Sequence, residues 1–132
     1  LARALELAST TPTGDLSARP WPFRLTISVG AGLYEEWLFR FVGMAALHFV
    51  LADLIRLPEG SSRMLMVLLS AVAFSLYHDL YPSDKIQLVR ALVYFAAGLY
   101  FGVLYLWRGF GIVVAVHALY DVIVLIGLDH SG

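Results

Sequence analysis

"ALVYFAAGLYFGVLYLW", residues 91–107, carries no charge along its whole length. At roughly 1.5 Å per residue, a helix of that length covers most of a hydrocarbon core about 30 Å thick. A spanning strand would need only about 9–11 residues and would alternate between apolar and polar. No alternation is seen, so the stretch reads as a helix suited to lipid. The rest of the chain agrees. Of its 132 residues, 60% are hydrophobic and 14% are charged, and the mean hydropathy is +0.78. Soluble domains carry roughly 25% charged residues. This composition excludes an ordinary soluble domain and predicts an integral, multi-pass membrane protein.

Working outward, the chain after Pro22 divides into four long apolar runs: residues 23–57, 64–80, 85–107 and 110–128. The predicted fold class is all-α, a polytopic transmembrane helical bundle with about four spanning helices. The first run would be about 50 Å long as a helix, more than a bilayer needs. It must tilt, kink or project, and Gly30 and Gly32 are the expected weak points. Gly98 and Gly102 form a small-xxx-small pair through which another helix, within the chain or a partner, can approach closely. Residues 1–22 read as the tail of a preceding segment plus a linker rich in Ser, Thr, Pro and Gly. Residues 23–128 form the transmembrane core, and 129–132 a short tail. The chain begins with Leu and is expected to be a piece of something longer.

Some functions are excluded at once. The net charge is −1 with no basic run, which argues against nucleic acid as a partner. There is no cysteine, so disulfides, thiol catalysis and cysteine-ligated zinc are ruled out.

Against this background a few ionisable residues stand out, because each is costly inside a bilayer unless it is paired or lines a cavity. They fall into three motifs: Glu35-Glu36-x-x-x-Arg40, Phe74-x-x-x-His78 and His117-x-x-x-Asp121. Residues i and i+4 share a helix face. Glu36 can therefore pair with Arg40, and His117 and Asp121 point the same way. Glu35 is rotated about 100° from Glu36, so the two carboxylates need different partners. If the four helices alternate in direction, all three motifs fall in the same half of the membrane and line one water-accessible cavity. A structural ion-pair knot would explain Glu35, Glu36 and Arg40 alone; the shared depth favours a site. His48 and Asp53 match no motif and read as structural. The third helix brings no ionisable group to this depth and reads as packing support.

Such a cluster suits several tasks. A carboxylate can serve as general base towards water, with histidines orienting it or donating to a developing oxyanion. The same groups (Glu35, His78, His117 and Asp121) could ligate zinc. A proton or ion pathway uses similar residues, and a non-catalytic scaffold could retain them.

The three motifs in this order, with the wording "EEWLFR", resemble the CPBP family (CAAX protease and bacteriocin-processing, also called Abi), of the Rce1-like type. The resemblance covers about residues 23–128. It implies an intramembrane endopeptidase acting on a membrane-associated or lipidated peptide such as a prenylated CAAX tail. It also implies Glu35 as the base that activates water, with Glu36 and Arg40 beside it. His78 would be the second catalytic group, and His117 and Asp121 would serve the oxyanion. Members often carry Asn at the last position, and Asp121 there is expected to orient His117 instead. A metal-free mechanism is the expectation, with zinc as the alternative.

Overall fold

The computed structural model describes residues 19–79 and 88–129. The tail 1–18, the turn with Asp84 and Lys85, and His130 lie outside the described residues. Within them the chain is a bundle of four helices: α1 Trp21–Leu54, α2 Glu59–Asp79, α3 Leu88–Arg108 and α4 Phe110–Asp129.

Three of these are long and apolar enough to cross a membrane, namely Trp21–Leu54, Glu59–His78 and Leu88–Arg108, while Phe110–Leu125 is a shorter apolar stretch. Large apolar side chains point outward all round, among them Trp37, Phe41, Leu76, Val103 and Leu119. In water such a surface would drive aggregation; in a bilayer it faces lipid. The protein is an integral, multi-pass membrane bundle.

Helix α1 starts at Trp21, two residues before the expected boundary, because Pro22 sits in its first turn. Proline is tolerated there, since the first-turn N–H groups have no intrahelical partner. The helix does not break at Gly30 or Gly32. It runs as α-helix over Trp21–Glu36, widens to a π-helix over Trp37–Met44, returns to α over Ala45–His48 and widens again over Phe49–Leu54. Gly32 serves a different purpose. A Cβ there would lie 3.4 Å from the Ala118 backbone nitrogen and 3.5 Å from Asp121 Oδ2, so the glycine lets α1 and α4 approach. The widening matters for register. In a straight α-helix, positions four apart drift by about 40° per step. The wider turn lessens this drift, and Glu36, Arg40 and Met44 all stay on the buried line.

Helix α1 ends with Arg56 in the left-handed region, φ 62°. The Leu57 N–H donates to the Leu51 carbonyl at 2.9 Å, one residue wider than the six-to-one bond of a Schellman cap, as follows from the π turns that precede it. Helix α2 begins at Glu59, earlier than expected, because the "EGSS" stretch forms its first turn: the Ser62 N–H donates to the Pro58 carbonyl at 2.9 Å. His48, read as structural, lies 3.3 Å from Glu59 at this end of the bundle. Gly109, with φ 84°, makes the tight link from α3 to α4.

The Gly98/Gly102 pair is used inside the chain, so it is not a free surface for a partner helix. A Cβ on Gly98 would sit 2.9 Å from the Ala71 Cα, and one on Gly102 3.2 Å from a Val67 methyl. Small residues at this seam bring the α2 and α3 backbones together, where dispersion and buried hydrogen bonds replace the hydrophobic drive that lipid removes. The Ser75 hydroxyl donates to the Ala91 carbonyl at 2.9 Å, and Ser70 to the Phe39 carbonyl at 3.2 Å.

Candidate active site

The two neighbouring glutamates on α1 point to different places. Glu36 is fully buried, and its Oε2 lies 3.2 Å from Arg40 Nε, also fully buried. Its Oε1 accepts a 2.7 Å hydrogen bond from His117 Nδ1. Arg40 in turn donates through Nη2 to the Gly98 carbonyl at 3.2 Å. Its Nη1 finds no acceptor among the described residues. Instead the guanidinium lies against two ring faces, 4.6 Å from the Phe74 centroid and 5.5 Å from that of Phe101. Aromatic faces attract cations, so the rings partly replace the missing acceptor.

Glu35, one residue earlier, turns into an open cavity. Its side chain is 15% exposed, with Oε1 3.6 Å from His78 Nε2 and Oε2 3.5 Å from His117 Nε2. Asp121 Oδ2 lies 3.8 Å from the same His117 nitrogen. The cavity has a volume of about 390 Å³ and is lined by these four residues together with Phe74, Arg90, Tyr94, Phe101 and Tyr120. All six ionisable motif residues are therefore within one neighbourhood. Four face the cavity, and Glu36 and Arg40 lie behind it.

The hydrogen-bond partners define the tautomers. His78 Nδ1 is 2.9 Å from the Phe74 carbonyl, which can only accept, so this nitrogen carries the proton. His117 Nδ1 donates to Glu36, whose carboxylate is paired with Arg40. Both histidines thus spend their Nδ1–H on fixed partners. Their Nε2 atoms face Glu35 and bear a hydrogen only as imidazolium. The expectation that Asp121 orients His117 is corrected here. At 3.8 Å from Nε2 it is beyond hydrogen-bond reach, and Glu36 holds the ring. The physical reason is the rotation of α1: Glu36 points straight across to α4, a direction that spacing within α4 alone cannot reveal.

Helix α3 contributes more than packing support. Arg90 and Tyr94 line the cavity, Gly98 takes the Arg40 bond, and Tyr94 and Phe101 contact the two histidines. The sequence signal for them was weak, since aromatics on an apolar helix look the same whether they face lipid or the site. Among the described residues, no group of three or more His, Asp or Glu side chains is arranged to hold a metal ion.

No curated protein and no solved structure matches the chain. The family described as "Type II CAAX prenyl endopeptidase Rce1-like" matches residues 17–123. That span takes in most of the chain and every residue of the cavity cluster from Glu35 to Asp121. With helical architecture, membrane character and motif order in agreement, the chain belongs to the Rce1-like family of integral membrane proteases.

Proposed function

We propose that this protein is an intramembrane endopeptidase in which Glu35 activates water to hydrolyse a peptide bond. The observation that carries the reading is the separation of the two glutamates. Glu36 is consumed by Arg40 and His117, whereas Glu35 stands in the cavity between two histidine Nε2 atoms. A general base must reach the proton it removes, directly or through one water, and of the two glutamates Glu35 is the one that lines the cavity.

The steps follow from these groups. Glu35 takes a proton from water as the water oxygen bonds to the scissile carbonyl carbon. The oxyanion that forms needs a hydrogen-bond donor. With both Nδ1–H groups already engaged, that donor is the Nε2–H of a histidine in its imidazolium form, with Asp121 as a nearby counter-charge. The C–N bond then breaks, and Glu35 returns the proton to the leaving amine. The products are a carboxylic acid and an amine. Two buried contacts, the Glu36–Arg40 ion pair and the hydrogen bond from His117 Nδ1 to Glu36, keep the apparatus aligned.

The substrate class on this reading is a membrane-associated prenylated peptide, the type named for the family. An apolar groove of about 490 Å³, lined by Ala96, Tyr100 and Val116, adjoins the cavity and shares Val93, Ala97, Phe101 and Tyr120 with it. A hydrocarbon chain beside the scissile bond suits that surface.

The test is cleavage of a prenylated CAAX-type peptide in lipid nanodiscs by the wild type and by Glu35→Ala and His78→Ala. Strong loss in both variants supports the reading, and equal activity in all three contradicts it. EDTA should leave cleavage unchanged; a loss that added zinc restores would overturn the metal-free step.

A further inference from the structure

The two cavity histidines come from different helices, yet each lies flat against a ring from a third. The Tyr94 ring stacks on His78 with centroids 4.1 Å apart and planes at 19°. The Phe101 ring stacks on His117 at 4.6 Å and 18°. Both aromatics belong to α3, which supplies none of the motif residues. They are seven residues apart, about two helical turns, and so share one face. Between them is Gly98, whose missing side chain lets α3 close on Ala71. The spacing of the two plates is thus set across a close backbone contact between α2 and α3.

We propose that Tyr94 and Phe101 are positioning residues which hold the imidazoles of His78 and His117 edge-on to Glu35. The inference rests on the hydrolytic reading of the cavity and adds two residues to it. A histidine with its Nδ1–H fixed to one acceptor can still swing about that bond. For His78 the acceptor is a backbone carbonyl on the same helix, and Glu35 at 3.6 Å is too distant to lock the other nitrogen. The flat contact with Tyr94 removes this freedom. An aromatic face also attracts a cationic imidazolium, the form required of a donor to the oxyanion. An aliphatic side chain would fill the space and do neither. Phe101 has the further task of lying against Arg40, so its ring is shared between the cation behind the site and the histidine within it. Tyr94 has a looser second contact, edge-on to Phe74 with centroids 6.3 Å apart, and is the cleaner probe.

Two readouts test the proposal, on the full chain in nanodiscs. The first is the His78 Nδ1–H proton resonance, which is sheltered from exchange while the ring stays on the Phe74 carbonyl. It should persist in the wild type and in Tyr94→Phe and vanish by exchange in Tyr94→Leu. The second is steady-state cleavage of a prenylated peptide. Tyr94→Leu should lose at least about tenfold in kcat with KM within about twofold, and Tyr94→Phe should recover most of the rate. A sheltered resonance in Tyr94→Leu, or equal kcat for Leu and Phe, would overturn the proposal. Failure of the hydrolytic reading is distinguishable, because the wild type would then cleave nothing while the resonance still reports the ring.

Discussion

Glu35 and Glu36 are identical side chains on adjacent residues, and their surroundings alone separate them. Glu36 has lost all contact with solvent and has two cationic or donor partners. Removing one partner of a buried pair is expensive, on the order of 3–5 kcal/mol, because the other charge is left uncompensated. Among the described residues, Glu35 is held by contacts of 3.5–3.6 Å to the two histidines and borders open volume. The two conservative variants should therefore fail differently. Glu36→Gln is expected to lower the melting temperature in detergent markedly, since Arg40 is then stranded, and to lose activity as a consequence. Glu35→Gln is expected to fold with an unchanged melting temperature. Equal melting temperatures for both variants would contradict the division of roles.

At the scale of the element, glycine and helix geometry decide how close the pieces come. Gly98 and Gly30 are both interior helical glycines, but their surroundings differ. A methyl on Gly98 meets Ala71 backbone at 2.9 Å, whereas one on Gly30 meets nothing within 4 Å. Overpacking costs about 1–3 kcal/mol, while replacing a helical glycine by alanine in open space gains about 0.5–1 kcal/mol. Gly98→Ala should thus destabilise the bundle and disturb the Arg40 bond, and Gly30→Ala should leave it unchanged or slightly more stable. Thermal melts in one detergent compare the pair, and the opposite ranking would show the α2–α3 seam to be looser than described. Arg56 gives a second case. A non-glycine residue in the left-handed region costs roughly 1–2 kcal/mol, so Arg56→Gly should raise the melting temperature without altering cleavage.

For the whole molecule, membrane character and helix count were legible because they depend on composition and run length, which packing does not alter. Much of the cluster was legible too. The i, i+4 spacing places His117 with Asp121 and Glu36 with Arg40, and alternating helices bring the three motifs to one depth. What could not be read depends on how helices face one another. The π turns in α1 arise from a register that sequence periodicity does not encode. Tyr100 is exposed and Phe101 buried, although both are aromatics in the same apolar run, so the rings on the histidines could not be told from rings in lipid. Nor could α1 spacing show that Glu36, rather than Asp121, holds His117. The assembled molecule joins a polar cavity to an apolar groove, and this arrangement favours a peptide presented from the membrane. The same peptide without its prenyl chain should be cleaved with a higher KM and a similar kcat; equal KM values would detach the groove from the reaction.

On the proposed mechanism Glu35 is the base. Its most direct test is kcat for a prenylated peptide in nanodiscs, measured for the wild type and for Glu35→Gln at matched folding. General base catalysis contributes about a hundredfold to ten-thousandfold, so the variant should lose at least about a hundredfold in kcat while its melting temperature stays the same. Cleavage by Glu35→Gln at the wild-type rate would show that another group takes the proton from water.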